Sequence, residues 1–164
     1  MKVLHVAASL SPQWGGPVTV LSELTQSLAL QGVESGIVAA KGRRVGETHI
    51  SPKGVDVNLS RTGFISRIWT GHSAMMLRTL RQIATNYDLL HVHELWHYPG
   101  YSAYRVASDL GKPFLVTIHG ALEPWALNHK GAKKRVYMQF MQRRILNKAS
   151  VLHALTDEEV KQIR

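Results

Sequence analysis

The sequence predicts a single α/β domain in which a mostly parallel sheet carries helices on both faces. Three observations lead to this fold class. The length of 164 residues is ordinary for one domain, and 45% of the residues are apolar. Short β-branched runs also alternate with amphipathic stretches of helical length. The chain has no cysteine, which excludes a disulfide framework, a thiolate metal site and a cysteine nucleophile.

The first half of the chain combines three strands with two helices. The apolar, β-branched runs of strand length are Val3–Ala8, Val33–Ala40 and Val55–Leu59. Val18–Gln31 has apolar residues at helical spacing, and Gly32 follows at the position of a C-terminal cap. Ile65–Ala84 repeats the helical pattern. Its predicted inner stripe consists of Ile68, Trp69, Met76, Leu80 and Ile83.

The second half continues the alternation. The predicted strands are Asp88–His93, Pro113–Ile118 and Ser150–Leu155. Gly100–Leu110 is a predicted helix that ends at Gly111, and Lys133–Lys148 is a basic amphipathic helix. The apolar face of this basic helix is predicted to hold Val136, Phe140, Met141 and Ile145. Thr156 and Glu159 have the spacing of a capping box at the start of the last helix.

The loops that follow the strands are where a ligand is expected, because the crevice of such sheets lies at the carboxyl ends of the strands. Trp14, Trp96 and Trp125 all fall on these loops. Three tryptophans at one edge predict a stacking surface of the kind that carbohydrate rings prefer, and core packing is the alternative.

The segment from His93 to His97 matches the H-E-x-x-H motif of zinc hydrolases. That chemistry requires a helix, which places both histidines and the glutamate base on one face. Here a strand precedes the motif, and Pro99 biases Tyr98 away from helical backbone. We therefore expect no metal site, and we expect His93 and Glu94 to face the crevice from the end of a strand.

Two further strand exits carry candidate residues. In Trp14–Pro17, Gly15 and Gly16 permit close approach of a ligand, and the free amides of the following helix suit an anion. These amides belong to Val18 and Thr19, and a plain tight turn is the alternative. His119 follows another strand, where its ring can donate a hydrogen bond to a substrate hydroxyl or carbonyl. A buried core histidine is the alternative there.

The formal net charge of +9 indicates a polyanionic partner such as nucleic acid, an anionic membrane or a phosphorylated substrate. Lys41–Arg81 holds eight basic residues against two acidic ones, and Lys130–Lys148 holds seven against none. No helix-turn-helix, zinc-finger or RNA-binding signature accompanies the charge, so nucleic acid is not expected as a partner. The basic helix suits a membrane surface, and a solvated face is the alternative.

Four features together resemble the N-terminal domain of family-4 (group 1) retaining glycosyltransferases. They are Gly15-Gly16-Pro17 after the first strand, the strand Asp88–His93, the strand end Pro113–Gly120 and the segment Ala149–Thr156. The resemblance covers nearly the whole chain. It implies that residues 1–164 form a Rossmann-like domain, the acceptor-side half of a GT-B architecture. The C-terminal nucleotide-sugar-binding domain is then absent from this chain, and the chain is expected to be truncated and inactive alone.

The resemblance also implies a reaction. Hexosyl-type transfer proceeds with retention from a nucleotide-sugar to a polysaccharide or lipid-linked acceptor, without a metal or cofactor. His119 matches the family's catalytic histidine, which contacts the transferred sugar, and Gly15 and Gly16 match the loop that approaches the donor. The expected acceptor or cleft residues are His93, Glu94, Trp96, Glu123 and Trp125. One departure is that Gly32 precedes Val33 where the family usually has histidine.

We expect a cytoplasmic location, which the absence of cysteine allows, with the basic segments as candidates for contact with the inner face of the membrane. The alternative function is a free-standing, non-catalytic α/β module that binds an anionic or phosphorylated partner. A zinc hydrolase is a third hypothesis, and it lacks the helix that its motif needs.

Overall fold

The computed structural model describes residues 1–42 and 47–164 as one sheet covered by helices. The strands are β1 (Lys2–Ala7), β2 (Glu34–Lys41), β3 (Asp56–Arg61), β4 (Leu89–His93), β5 (Phe114–Thr117) and β6 (Val151–His153). All neighbours pair in parallel, in the order β3-β2-β1-β4-β5-β6. This is the strand order of the Rossmann fold, so the predicted fold class is confirmed.

In the described part of the chain, helices follow every strand except β2. They are α1 (Gly16–Leu30), α2 (Met76–Ala84), α3 (Tyr98–Leu110), α4 (Pro124–Asn128), α5 (Gly131–Tyr137), α6 (Arg143–Lys148) and α7 (Asp157–Ile163). Short 3-10 helices occupy Pro12–Trp14 and Phe64–Arg67, and a π-helical segment, Met138–Gln142, joins α5 to α6. In the described residues no helix is both long and apolar enough to span a membrane.

The core lies on both sides of the sheet, which explains why the central strands are apolar along their length. On one side, Leu4 and Val92 pack with Met76 and Leu80 of α2 and with Val106 of α3. On the other side, residues of β1 and β2 pack with α1. This second cluster consists of Ala7, Leu10, Leu21, Ile37 and Ala39.

The predicted helix over Ile65–Ala84 is wrong as one continuous element. Phe64–Arg67 forms a 3-10 turn, and α2 begins only at Met76. Gly71 interrupts the helix with a φ of 76°, a left-handed conformation that continues no α-helix. As a result Ile68, predicted on the inner stripe, is 64% exposed, whereas Leu80 is fully buried.

The basic helix is present but its predicted apolar face is partly wrong. Ile145 is buried, whereas Val136 and Phe140 are 60% and 65% exposed. The π-helical segment adds a residue to one turn, so residues on either side of it do not keep the spacing of an ideal helix. Arg43 and Arg44, two basic residues of the segment Lys41–Arg81, lie outside the described residues.

Two helix ends differ from the prediction in one respect each. Pro99 lies in the first turn of α3, where it needs no hydrogen-bond donor, so Tyr98 is helical and the bias expected from its proline is overridden. Thr156 caps α7 by accepting a hydrogen bond from the Glu159 amide at 3.2 Å. Glu159 does not complete the reciprocal bond of a capping box, because its carboxylate binds elsewhere. Gly111 ends α3 in a left-handed conformation, as predicted.

Candidate functional site

Two cavities open at the carboxyl ends of the strands. The His119 cavity, with a volume of about 350 Å³, is lined by Thr70, Glu94, Trp96, His97, His119, Gly120, Ala121, Trp125, Ala126, His129, Lys130, Lys133, Lys134 and Tyr137. The Trp14 cavity, of about 570 Å³, is lined by Ala8, Ser9, Gln13, Trp14, Ala40, Lys41, Gly42, Glu47, Thr62, Ser66, Thr70 and Gly71. Thr70 borders both cavities, which are therefore adjacent.

The structure brings most of the predicted cleft residues together. The His119 cavity is bordered by His119, Glu94, Trp96 and Trp125. Two others lie apart from its lining. His93 is 3% exposed and sits behind His119. Glu123 occupies the N-cap position of α4.

His119 lies just after β5 and is held from behind by a chain of imidazoles. Its Nε2 is 3.3 Å from Nδ1 of His93, and His93 Nε2 is 3.1 Å from Nδ1 of His5. No hydrogen bond within the described residues occupies Nδ1 of His119, so this nitrogen remains for a ligand. His93 therefore fixes which side of the catalytic candidate is presented to the cavity.

Burial keeps this histidine cluster uncharged at neutral pH. It lowers the pKa of His5 to about 4 and the pKa of His93 far below its ordinary value. Burial also lowers the pKa of His119, although nearby Glu159 acts in the opposite direction. Neutral rings can each donate through one nitrogen and accept through the other, as an imidazole chain requires.

A second polar chain runs beside the first. Thr117 Oγ1 lies 2.7 Å from His91 Nε2 and 3.0 Å from His153 Nδ1, so one hydroxyl links β4, β5 and β6. Burial is the main cause that lowers the pKa of His91. The sequence analysis identified neither His5 nor this hydroxyl bridge as part of the site.

Glu159 fixes the loop that carries His119. The Glu159 side chain is buried, and its carboxylate accepts hydrogen bonds from the amides of Gly120 and, at 2.6 Å, Leu155. The sequence did not indicate these contacts of Glu159, because the capping-box spacing from Thr156 already explained why a glutamate lies there. The start of α7 and the strand exit after β5 are thus connected directly.

Lys130, Lys133 and Lys134 line the same cavity as His119, from α5 and the residue before it. Lys134 donates to the Ala126 carbonyl, and its ammonium lies 5.3 Å from the ring centre of Trp96. The sequence predicted Lys133 and Lys134 on a basic helix and Lys130 in the basic segment before it, and it predicted none of the three in the site. The sequence feature that could have indicated a cationic part of the site was the absence of acidic residues from Lys130–Lys148.

The three tryptophans do not form one stacking surface. Trp96 is held at both ends, since its indole donates to the Ala121 carbonyl at 3.1 Å and its amide donates to Gln142 at 3.2 Å. Trp125 is 74% exposed at the mouth of the same cavity. Trp14 lines the other cavity, and its indole ring packs edge-on against His97 at 5.4 Å.

The glycine loop differs from the prediction in its hydrogen bonding. The amides of Val18 and Thr19 are not free, since both donate to the Gly15 carbonyl at 3.1 and 3.3 Å. Gly15 has a φ of 68° and Gly16 begins α1. A Cβ atom at either glycine would meet no heavy atom within 4 Å, so the loop remains open to close approach by a ligand.

The structure also bears on metal binding. Among the described residues, one group of side chains has its ring nitrogens within 4.8 Å of one another, a spacing that could hold a metal ion. This group consists of His5, His91 and His93. His97 of the H-E-x-x-H match is not among them. The segment after His93 is no helix, since Glu94 and Trp96 have positive φ. The ring nitrogens of His5 and His93 already contact each other. That the site holds no metal therefore stays our prediction.

Several solved structures share this fold. Anabaena Alr3699/HepE, solved in complex with UDP and glucose, has a TM-score of 0.64 at 14% identity over 99% of this chain and 40% of its own. The lipopolysaccharide outer core galactosyltransferase WaaB has a TM-score of 0.61 at 16% identity, over 99% and 42%. The UDP-GlcNAc 2-epimerase of Methanocaldococcus jannaschii has a TM-score of 0.61 at 14% identity, over 99% and 42%.

These likenesses establish the fold alone, because an epimerase and a galactosyltransferase match equally well. The chain spans about 40% of the length of these proteins. A search of curated protein sequences gave no match. The sequence profile of the glycosyl transferase 4-like domain, however, matches residues 15–164. Since that match covers nearly the whole chain, the chain belongs to the glycosyl transferase 4-like domain family.

Proposed function

We propose that the protein containing this chain transfers a hexosyl group from a nucleotide-sugar to a polysaccharide or lipid-linked acceptor, with retention and without a metal. Family membership supports sugar transfer, and HepE, which shares the fold, was solved with UDP and glucose. The observation that carries the site is that His119, whose Nδ1 has no hydrogen-bond partner among the described residues, lines a cavity that three lysines also line. In this proposal residues 1–164 are the acceptor-side domain, and they do not turn over without a nucleotide-sugar-binding domain.

Each group in the site has a task in this reaction. His119 donates a hydrogen bond from Nδ1 to the transferred sugar, and the lysines attract the negative diphosphate of the donor. Gly15 and Gly16 allow the donor to approach the start of α1. The acceptor binds along Glu94, Trp96 and Trp125, which line the His119 cavity.

Replacement of His119 tests the assignment. We expect His119→Ala in the full-length protein to lower kcat for sugar transfer by about 10²-fold or more, as expected for loss of a donor that stabilises the transition state. A panel of radiolabelled nucleotide-sugars, assayed for hydrolysis and transfer, first identifies the donor of the wild-type protein.

The control for this experiment concerns the backbone. His119 has a φ of 53°, which alanine tolerates poorly and glycine adopts freely. His119→Gly therefore removes the imidazole without strain and should lose as much activity as His119→Ala. Turnover near that of the wild-type protein in His119→Gly would remove this residue from the catalytic machinery.

We also propose that the protein acts at the inner face of an anionic membrane. The membrane proposal rests on one surface, which we call the apolar–basic surface. It consists of Phe64, Ile65, Ile68, Val136 and Phe140 with Lys133. Its apolar side chains are 50% to 69% exposed. The Lys133 ammonium donates to the Ile68 carbonyl, which brings the two segments together. Exposed apolar side chains beside cations suit the boundary between headgroups and acyl chains.

Vesicle binding tests the apolar–basic surface. We expect the full-length protein to sediment more strongly with vesicles of phosphatidylglycerol and phosphatidylcholine than with phosphatidylcholine alone. Phe140→Ser should weaken this binding about tenfold, because burial of one such side chain contributes about 1.5–3 kcal/mol.

Leu30→Ser supplies the matched control, since Leu30 is 87% exposed at the end of α1 and belongs to no part of the apolar–basic surface. It should leave vesicle binding unchanged. Equal binding of the wild-type protein to neutral and anionic vesicles would contradict the membrane proposal and would leave the transfer proposal intact.

A further inference from the structure

A third cavity adjoins the His119 cavity, and we call it the arginine cavity. It has a volume of about 450 Å³, and its charged lining residues are Lys134, Arg135 and Arg143. Gln139 adds a neutral amide, and no acidic residue of the described chain lines this cavity. Arginine keeps its charge at neutral pH and presents a planar fork of N–H donors that matches a phosphate group. The lining is therefore suited to a phosphate.

The π-helical segment turns the two arginines toward one side of their helix. Arg135 and Arg143 are eight residues apart, and in a regular α-helix that spacing separates the directions of two side chains by about 80°. Between them the Arg143 amide donates to the Met138 carbonyl, five residues earlier, in a π turn. The extra residue of this turn reduces the separation to about 20°. Such π turns are frequent at functional sites, and this one helps to assemble the cationic lining.

The positive charge of the arginine cavity is not balanced within the domain. In the part of the chain that the structure describes, neither Arg135 nor Arg143 forms an ion pair or a side-chain hydrogen bond. Burial, and after it the charge of Lys130, lowers the pKa of Lys134. A bound anion would act in the opposite direction, because a nearby negative charge favours the charged form of an ammonium group. A phosphate in this cavity would supply the balancing charge.

Trp96 connects the arginine cavity with the residues proposed to bind the acceptor. Both Trp96 and Lys134 line the arginine cavity as well as the His119 cavity. Thr70, which borders the His119 cavity and the Trp14 cavity, does not line the arginine cavity. An acceptor that lies along Trp96 can therefore reach the arginines. The donor is proposed to approach elsewhere, at the glycine loop that follows Trp14.

The apolar part of the lining favours a phosphate that is attached to a lipid. Leu127 and Met138 line the arginine cavity beside its cations. Val136 and Phe140, two exposed residues of the apolar–basic surface, belong to the same stretch of α5 and the π-helical segment that lines the cavity. Apolar side chains next to cations suit a charged headgroup with a hydrocarbon chain.

We propose that the arginine cavity binds the phosphate that joins the acceptor saccharide to a lipid, an inference that rests on the proposed glycosyltransferase function and selects the lipid-linked acceptor. Arg135 and Arg143 donate hydrogen bonds to the phosphate oxygens, and Lys134 adds a third positive charge. The saccharide extends along Trp96 toward His119, and the lipid chain leaves over the apolar part of the lining.

Binding of farnesyl diphosphate to the full-length protein, measured by isothermal titration calorimetry, tests the site. We expect it to bind about tenfold or more tightly than inorganic diphosphate, because its hydrocarbon chain is also buried. Arg135→Gln and Arg143→Gln each remove one charge-assisted contact, so each should weaken farnesyl diphosphate binding about tenfold. Arg144→Gln is the matched control and should keep the wild-type affinity. Arg144 is exposed on the same helix and lines neither the arginine cavity nor the His119 cavity.

Three results would overturn the inference. Equal affinity for inorganic and farnesyl diphosphate would exclude the lipid-linked acceptor. Equal losses in Arg143→Gln and Arg144→Gln would mean that net charge alone attracts the probe. In an assay of donor hydrolysis, farnesyl diphosphate should leave the KM for the nucleotide-sugar unchanged, and competition with the donor would assign the cavity to the donor's diphosphate. The expected binding without sugar transfer from any donor would overturn the proposed function and leave the phosphate site intact.

Discussion

The free energy of unfolding should fall by about 3 kcal/mol or more when the pH is lowered from 6.5 to 5. Burial holds the pKa of His5 and His97 at about 4, and it lowers the pKa of His91 and His93 as well. The unfolded chain, with ordinary histidines near 6.5, binds more protons below that pH. Each such histidine therefore stabilises the fold above pH 6.5, and this stability is lost as the pH falls toward the folded-state pKa.

The Glu94 carboxyl has the opposite effect on the free energy of unfolding over part of this pH range. Because burial raises its pKa from 4.5 to about 7, the folded state holds a proton there that the unfolded state releases. One carboxyl offsets about one histidine, since each proton contributes about 1.4 kcal/mol per pH unit. The four histidines with a lowered pKa dominate, so the net dependence is a loss of stability in acid.

Urea unfolding at several pH values between 5 and 7.5 measures this effect. The slope of the unfolding free energy against pH gives the difference in bound protons between the two states. His5→Leu removes one titrating ring from the core and should reduce the slope by about one proton. His129→Ala, at an exposed position, serves as the control and should keep the wild-type slope. A free energy that is constant between pH 5 and 6.5 would contradict the prediction.

Gly71→Ala should destabilise the fold by about 2–5 kcal/mol. A Cβ atom at Gly71 would lie 2.8 Å from Cδ and 2.9 Å from Cγ of Pro99, in the first turn of α3. Overpacking of this kind costs about 1–3 kcal/mol. The φ of 76° adds about 1–2 kcal/mol for a residue with a side chain. A loss of that size should lower the Tm by about 10 °C for a domain of this length.

Gly63→Ala is the matched control, in the same connection between β3 and α2. Gly63 has a φ of −98°, and a Cβ there would meet no heavy atom within 4 Å. This substitution should change the free energy of unfolding by less than about 1 kcal/mol. Thermal unfolding of the two variants side by side compares them directly. Equal stability would mean that the loop moves away from Pro99 at little cost.

The sequence was informative about the fold wherever one local signal dominated. The buried strands were predicted because parallel strands between two layers are apolar along their length. Gly111 marked the end of α3 because its cap needs a left-handed residue. The interruption at Gly71 was not predictable from periodicity, since the apolar residues before and after it keep helical spacing. The contact with Pro99 that fixes this glycine is non-local.

The site was predictable only in the part contributed by strand exits. The position of Glu94, Trp96 and His119 follows from the rule that ligands lie at the carboxyl ends of parallel strands. The lysines of α5 approach this edge from a later segment, and no local pattern indicates which face of that helix turns inward. The π-helical segment compounds the difficulty, because it shifts the register within the helix.

The imidazole chain from His5 through His93 to His119 has a consequence for tautomers. Each neutral ring carries one N–H, and each of the two ring-to-ring contacts holds one proton. If His119 carries its proton on Nδ1, then His93 and His5 must do so as well. A ligand that accepts a hydrogen bond from His119 Nδ1 therefore sets the proton position on all three rings. The ring nitrogen of His5 that carries the proton thus depends on what is bound in the cavity, although His5 has no solvent-exposed surface.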